Sequence, residues 1–314
     1  MAAQPVRKPS RKPQTTMPRA PRVIVVGGGP GGIAAGIWAV RLGLRVVVLE
    51  ATKHLGGQLR AVLSPITDYP GLPDVDGPGL AALMVDHLRA MRVPVRLGCR
   101  VDSLEPRSGR VITSSAERLQ GDGIIVATGA RRRRLGLADE QRWVGRGLSY
   151  SVSRDAGRLA GQVSVIVGGG DNAMEAAAWL GALCPEVHLV HRGALVARPD
   201  FIRAAQAEPN VRWHPGRRVM ALRGADRLEG VLLDDGTQID CAGLFVCMGV
   251  GPNSALLGAR LPCDERGFVI VDPNQRATGR VYAVGDVCAP RAMAVSVSAG
   301  QAMIACKDIQ SRWR

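Results

Sequence analysis

Two glycine-rich segments of this 314-residue chain have the spacing that binds the pyrophosphate of a dinucleotide. In the first, Gly27, Gly29 and Gly32 form a G-x-G-x-x-G pattern. Glycine permits a tight turn and a close approach of the backbone to a phosphate, and the amino terminus of a following helix attracts the negative charge. Glu50 follows at about the 20-residue distance expected of an acid that binds ribose hydroxyls. The predicted first site comprises Gly27, Gly29, Pro30, Gly31, Gly32 and Glu50.

The second segment repeats this pattern as G-x-G-x-x-A, but the strand predicted after it ends differently. Instead of an acid, this strand ends in His191 and Arg192, with Arg198 nearby. A basic strand end attracts the 2′-phosphate of NADPH, whereas an acid repels it. NADPH is therefore favoured over NADH at this site. The predicted second site comprises Gly168, Gly170, Asp171, Asn172, Ala173, His191, Arg192 and Arg198.

Both loops require a strand–helix–strand unit to position them. β-Branched runs at 23–26 and 163–167 are typical of buried parallel strands, and small apolar residues at 33–40 and 174–183 predict helices. In segments 93–122 and 210–241, short predicted strands alternate with turns, which predicts an antiparallel β-meander in each. The predicted fold class is therefore α/β, with two Rossmann-like dinucleotide-binding domains of the three-layer ββα type, the second inserted into a discontinuous first domain. Further helices are predicted at 76–91 and 299–310.

Composition sets the remaining bounds. Residues 1–22 hold six basic residues, no acidic residue and five prolines, which predicts a disordered basic tail. No apolar run is long enough to span a membrane. The seven cysteines include no C-x-x-C or zinc-ligand spacing, so we expect no metal site and a reducing compartment, the cytoplasm. The net charge of +14 lacks a nucleic-acid-binding motif and comes with few aromatic residues, so we expect no nucleic-acid partner.

Further motifs make the chain resemble the low-molecular-weight thioredoxin reductases from residue 23 to about residue 309. The shared segments are 27–32, 56–59, 69–71, 127–129, 168–173, 191–192, 251–253 and 285–286. The resemblance implies a homodimer, FAD on the first and last segments and NADPH on the middle one. It divides the chain into FAD-binding parts at 23–131 and 251–314 around an NAD(P)H domain at 132–250. The additional FAD residues implied are Gly57, Gln58, Leu59, Ala127, Thr128, Gly129, Gly285, Asp286, Arg291, Ala292 and Met293.

The chain departs from this family at the redox centre. Family members have C-x-x-C directly before the second glycine loop, where this chain has Ser151 and Arg154, followed by a retained acid, Asp155. Serine and arginine cannot form a disulfide, so this chain cannot reduce thioredoxin by the dithiol exchange that the family uses. The second departure lies in the basic motif that begins at His191-Arg192. Gly193 and Ala197 stand where the family has two arginines, so we expect a lower affinity for the 2′-phosphate.

These observations favour an NAD(P)H-dependent FAD oxidoreductase whose acceptor is not thioredoxin. Ferredoxin and flavodoxin are candidates, because they are acidic and the body of this protein is basic. One alternative is an oxidase or reductase of a small substrate, in which Arg154 binds an anionic group and Asp155 exchanges a proton, unless Arg154 simply pairs with Asp155. Others are a non-catalytic flavin-binding protein and a disulfide reductase using Cys288. The arginine run at 131–134 is either a solvated linker or a patch for an anionic partner.

Overall fold

The computed structural model describes residues 19–63, 65–254, 260–289 and 291–313. Its helices are α1 (Pro30–Arg41), α2 (Gly77–Ala90), α3 (Glu140–Trp143), α4 (Val152–Asp155), α5 (Asp171–Gly181), α6 (Pro199–Ala207) and α7 (Val295–Ser311). Its strands are β1 (Arg22–Val26), β2 (Arg45–Leu49), β3 (Pro65–Ile66), β4 (Val75–Asp76), β5 (Val95–Arg96), β6 (Val101–Glu105), β7 (Arg110–Thr113), β8 (Arg118–Gln120), β9 (Gly123–Val126), β10 (Ala130–Arg132), β11 (Leu148–Ser149), β12 (Ser164–Val167), β13 (Val187–His191), β14 (Val211–Pro215), β15 (Val219–Arg223), β16 (Gly230–Leu233), β17 (Gln238–Asp240), β18 (Gly243–Val246), β19 (Val250–Pro252), β20 (Arg276–Thr278) and β21 (Val281–Ala283).

The first domain is built on a six-stranded sheet in the order β20-β21-β9-β1-β2-β5. All pairs are parallel except the hairpin of β20 and β21. Val23 and Val25 of β1 pack towards the helices, whereas Ile24 and Val26 pack towards the antiparallel sheet β6-β7-β8. Because β1 is buried on both faces, its sequence is an unbroken β-branched run rather than an alternating one.

The middle domain repeats these three layers. Its parallel sheet has the order β11-β18-β12-β13-β14. One face packs against α5 and α6 through residues such as Ile166 and Leu189. The other face packs against the antiparallel sheet β15-β16-β17 through residues such as Val165 and Val190. Both predicted meanders are therefore confirmed as the third layer of their domains.

The chain order of the strands confirms that one domain is inserted into the other. Strand β21 pairs with β9 in the first sheet, although the whole middle sheet lies between them in sequence. The two crossings are adjacent, because β10 and β19 pair as an antiparallel ribbon with Arg131 opposite Gly251. The arginine run thus begins on strand β10, at the connection between the domains, and Arg131, Arg132 and Arg134 are exposed. Both interpretations of the run, a solvated linker and a patch for an anionic partner, stay predictions. The domain limits at 131–132 and 250–251 stay predictions, and both fall within this ribbon.

Several helices and one strand begin earlier in the structure than the sequence predicts. Helix α5 begins at Asp171 rather than at residue 174, and α1 begins at Pro30, because each glycine loop leads directly into its helix. Helix α7 begins at Val295, four residues before the predicted start. Arg22 already belongs to β1, where its backbone N–H donates to Asp122 at 2.7 Å. Residues 1–18 of the predicted basic tail lie outside the described residues.

Candidate functional site

The first glycine loop follows the carboxyl end of β1 and is closed by backbone contacts. Gly27 has φ +111°, and a Cβ there would lie 2.3 Å from the carbonyl oxygen of Ala127. A Cβ at Gly32 would lie 1.8 Å from the carbonyl oxygen of Gly27. Only glycine permits this approach between the loop, the first turn of α1 and the end of β9. The structure therefore brings the predicted loop residues together at the amino terminus of α1.

Glu50 faces this loop from the end of β2. Its Oε2 accepts a hydrogen bond from the backbone N–H of Gly28 at 2.7 Å, and its Oε1 accepts one from Thr52 at 2.8 Å. A carboxylate has about four acceptor positions, so positions remain for two hydroxyl groups. This geometry fits an acid that orients a ribose beside the loop.

A second wall of the first site comes from the segment around Gly57. Gly57 has φ +54°, and a Cβ there would lie 3.0 Å from the Cα of Gly29, so the two backbones form a narrow cradle that a side chain would fill. The 3-10 turn that begins at Gly57 buries Leu59 and directs Gln58 towards Asp286. The amide Nε2 of Gln58 donates to Oδ2 of Asp286 at 2.9 Å. Burial raises the pKa of Asp286 above its ordinary value.

The tip that carries Asp286 is held by a residue that the sequence did not indicate. The side-chain oxygen of Gln301, on α7, accepts the backbone N–H of Gly285 at 2.7 Å. Gln301 belongs to no motif, so only the packing of α7 could identify it. The three residues predicted to contact the flavin ring, Arg291, Ala292 and Met293, lie in the turn before α7 and are exposed.

The Ala127-Thr128-Gly129 segment is hydrogen-bonded to Asn253, where the chain re-enters the first domain. Thr128 Oγ1 donates to the carbonyl of Asn253 at 2.8 Å, and Asn253 Nδ2 donates to the carbonyl of Thr128 at 2.9 Å. The backbone N–H of Asn253 also donates to Gly129 at 2.9 Å. These bonds fix the end of β9 against the start of the second FAD-type segment.

The second glycine loop has the same backbone closure as the first. Gly168 has φ +153°, and a Cβ there would lie 2.3 Å from the carbonyl oxygen of Cys247. Ala173 is fully buried at the position equivalent to Gly32. Gly170 caps α5, whose first two residues are Asp171 and Asn172. The predicted loop residues therefore meet at a helix amino terminus here as well.

The basic residues of the second site have different surroundings. His191 Nδ1 donates to the carbonyl of Gly193 at 2.7 Å, and Arg192 is exposed. Arg198 is drawn towards the loop: its backbone N–H and its Nε donate to the two carboxylate oxygens of Asp171 at 2.7 and 2.8 Å. Hydrogen bonds from Arg198 lower the pKa of Asp171.

The buried carboxylate of Asp155 is contacted by Ser149, Arg154 and Arg158. The hydroxyl of Ser151 lies 3.4 Å from that of Ser153 instead, at the surface. Arg154 donates through Nε and Nη2 to Asp155 at 2.8 to 3.1 Å, and Ser149 Oγ donates to it at 2.6 Å. Nη1 of Arg158 lies 3.6 Å from Oδ1 of Asp155. The hydrogen bond from Arg154 lowers the pKa of Asp155. A carboxylate held ionised in this way is a poor proton donor, which counts against the proton-exchange role considered for Asp155.

A second buried carboxylate beside this cluster was missed by the sequence analysis. Glu140 is 3% exposed and accepts the backbone N–H groups of Leu135 and Gly136, each at 3.0 Å. It also accepts a hydrogen bond from the hydroxyl of Tyr150. Glu140 thus ties the segment after β10 to the residue that precedes Ser151. An isolated glutamate in an exposed-looking segment gives no sequence signal for this role.

All seven cysteines are unpaired. Burial raises the pKa of Cys288 to about 12 and that of Cys247 to about 11, so both remain thiols at neutral pH. A thiol attacks a disulfide far more slowly than a thiolate does, which counts against the disulfide-reductase alternative based on Cys288. Within the described residues, no three His, Cys, Asp or Glu side chains are grouped as metal ligands. None of the helices in the described ranges is long and apolar enough to cross a membrane.

Comparisons with known proteins cover most of the chain. A family model described as pyridine nucleotide-disulphide oxidoreductase matches residues 21–302. Thioredoxin reductase from Mycolicibacterium smegmatis is 30% identical, over 93% of this chain and 96% of its own length. One component of the alkyl hydroperoxide reductase from Pseudomonas putida is 31% identical over 84% of this chain, and the match spans 53% of that longer protein. A crystal structure of thioredoxin reductase from Lactococcus lactis matches with a TM-score of 0.75 and 26% identity, covering 93% of this chain and 98% of that one.

Proposed function

The chain belongs to the pyridine nucleotide-disulphide oxidoreductase family, and on that premise we propose that it is an NADPH-dependent FAD oxidoreductase whose acceptor is not thioredoxin. The observation that carries the proposal is the combination of two dinucleotide loops with a redox position that has no dithiol. The loops are closed in the same way, whereas Ser151 and Arg154 occupy the positions at which the resemblance places two cysteines.

FAD is assigned to the first site because the residues there fit it. A side chain at Gly57 would crowd the backbone of Gly29, so bare backbone borders the loop there, and the carboxylate of Glu50 has free acceptor positions for a ribose. Asp286 lies at the far end, partly buried and hydrogen-bonded to Gln58. When bound, the flavin supplies the capacity to accept a hydride and to release its electrons singly or in pairs.

NADPH is assigned to the middle domain because its glycine loop lies beside a basic strand end. The loop and the amino terminus of α5 would bind the pyrophosphate, and Arg192 would bind the 2′-phosphate. "NADPH-dependent" is part of the name of one relative, thioredoxin reductase 3 of Arabidopsis thaliana, which is 33% identical over 84% of this chain.

The cluster around Asp155 supports an acceptor other than thioredoxin. Arg154 is engaged with Asp155 through two of its nitrogens, and Ser149 completes the coordination of the carboxylate. The cluster therefore stabilises the start of the middle domain and holds no group that can be reversibly oxidised. Electrons must leave the flavin directly for an external acceptor.

The ribbon between the domains supports an acidic electron carrier as that acceptor. Arg131, Arg132 and Arg134 are exposed, and no described carboxylate lies within ion-pair distance of them. This unneutralised positive surface lies on the connection between the two domains, where β10 pairs with β19. Such a patch attracts and orients a partner of opposite charge.

Anaerobic reduction of the yellow protein tests the donor. NADPH should bleach the flavin absorbance rapidly, and NADH more slowly. Steady consumption of NADPH with a quinone would exclude a non-catalytic flavin-binding protein. Failure of both nucleotides to bleach the flavin would contradict the proposed function.

Charge reversal on the ribbon tests the acceptor. The Arg131→Glu/Arg132→Glu variant should reduce ferredoxin or flavodoxin at least tenfold more slowly at low salt, with unchanged bleaching by NADPH. The matched control, Arg107→Glu/Arg118→Glu, places the same charge change on exposed residues of the β6-β7-β8 sheet. Equal effects of the two variants, or no reduction of either carrier by the unaltered protein, would exclude docking of an acidic carrier at the ribbon.

The remaining predictions concern assembly and compartment. We propose a homodimer in the cytoplasm, as expected from the family resemblance and from the cysteine pattern. Light scattering of the purified protein gives its mass in solution, and a monomer at micromolar concentration would contradict the first part. Fractionation of the source cells tests the second.

A further inference from the structure

The segment 192–198 lies across the second glycine loop and is attached to it at two points. The backbone N–H of Val196 donates to the carbonyl of Gly169 at 2.8 Å. Two residues further, Arg198 donates through both its backbone N–H and its Nε to Asp171. The guanidinium of Arg198 also lies 4.3 Å from the ring centroid of Phe201, a cation–π contact. These contacts hold Arg198 at the start of α5.

The position of Asp171 explains what this contact does. Its carboxylate is on the first residue of α5, at the helix end where the loop would bind the pyrophosphate. An unneutralised carboxylate there would repel any dinucleotide, because like charges several ångströms apart disfavour binding. Arg198 supplies the opposite charge. The side chain of Arg198 is largely exposed and that of Asp171 is partly exposed, so the pair adds little to folding stability, and its main effect is on an anion that binds beside it.

We infer that Arg198 is a positioning residue that neutralises Asp171 for any dinucleotide, and that discrimination between NADPH and NADH depends on Arg192. This inference rests on the proposed donor site. It removes Arg198 from the residues expected to bind the 2′-phosphate. With Gly193 and Ala197 contributing no charge, a single exposed arginine carries the selectivity, so the preference for NADPH should be modest.

Binding of NADP⁺ and NAD⁺ to the FAD-loaded protein, measured by calorimetry, tests this assignment without turnover. The two probes differ only in the 2′-phosphate. The Arg192→Ala variant should weaken NADP⁺ by about tenfold or more and leave NAD⁺ unchanged. Arg198→Ala should weaken both probes by a similar factor of about three, with an unaltered ratio of the two dissociation constants.

A double variant separates neutralisation from a general loss of structure. In Arg198→Ala/Asp171→Asn, the repelling carboxylate is also removed, so both affinities should return to within about twofold of the original. Arg203→Ala, at an exposed arginine of α6, is the matched control and should change neither affinity. Selective loss of NADP⁺ binding in Arg198→Ala, or no recovery in the double variant, would overturn the inference. If the unaltered protein binds neither probe, the proposed donor site fails as well, a result distinct from either of these.

Discussion

At the level of single residues, the carboxylates of Glu50 and Asp155 have very different surroundings. Glu50 is held by backbone amides and retains free acceptor positions, as a ligand-binding acid requires. Asp155 is surrounded by Arg154, Arg158 and Ser149, as a structural ion requires. Both are single acids that follow a predicted motif. Their partners, and not their identity, distinguish a binding role from a structural one.

The Glu50→Gln variant should bind FAD more weakly. The amide has one acceptor oxygen in place of two and presents an N–H₂ group to one of the backbone donors. Losing a charged hydrogen bond of about 1.5–3 kcal/mol predicts about tenfold to hundredfold weaker binding. The ratio of flavin to protein absorbance after dialysis measures this. Asp86→Asn, at an exposed ion pair with Arg89, is the control, and full flavin content in Glu50→Gln would contradict the assignment.

The Asp155→Asn variant should be less stable at neutral pH by about 1–3 kcal/mol, because Arg154 and Ser149 lose a charged acceptor. The pKa of Asp155 is lowered in the folded protein, so its stabilising contribution is complete above the unfolded value of about 3.9 and is lost as pH falls through the lower folded value. The difference in urea midpoint between the two proteins should therefore be constant from pH 7 to about pH 5 and shrink below about pH 4. A difference that grows on acidification would refute this account.

At the level of secondary-structure elements, the same strand–loop–helix unit occurs twice, but only the second has space for a Cβ at the last position of its loop pattern. In the first unit a methyl group at Gly32 would overlap the backbone of Gly27. In the second unit Ala173 occupies the same position and is buried without such overlap. The first loop therefore packs more tightly against its helix than the second does. This difference follows from the path of the two backbones and not from their shared pattern.

The Gly32→Ala variant should lose FAD and several kcal/mol of stability, because its Cβ would meet a backbone oxygen that cannot move aside. Gly300→Ala is the matched control: Gly300 is also helical, and a Cβ at that position would have no neighbouring atom within 4 Å. Alanine is the better helix former, so this control should gain about 0.5–1 kcal/mol. Thermal unfolding and flavin content report both effects. Retention of flavin in Gly32→Ala would show that the loop can widen.

At the scale of the whole molecule, charge and topology act together. The chain carries a net charge of +14, and the ribbon of β10 and β19 brings the exposed Arg131 and Arg132 to the junction of its two domains, with Arg134 two residues further along the chain. Under the proposed function, a positive surface at this junction would attract an acidic electron carrier. The insertion of one domain into the other is what creates the junction.

The rate constant kcat/KM for an acidic carrier should fall about tenfold as salt rises from about 10 mM to about 100 mM, because the screening length shortens from about 30 to about 10 Å. An uncharged quinone is the control and should be reduced at the same rate throughout. Stopped-flow measurement of both acceptors gives the comparison. Identical salt dependence of the two rates would exclude electrostatic steering.

The fold class and the positions of both glycine loops could be predicted from the sequence, since β-branched runs, glycine spacing and helix-forming segments are local properties of the chain. The same patterns placed Glu50, His191 and Arg192 at strand ends. The contacts of those residues could be read only from the folded chain. The tertiary structure directed Arg198 to Asp171, enclosed Asp155 with Arg154, recruited Gln301 and Glu140 to the sites, and paired the arginine run with β19. These are contacts between segments distant in sequence or between flexible side chains with several partners in reach, and packing selects among them where periodicity cannot.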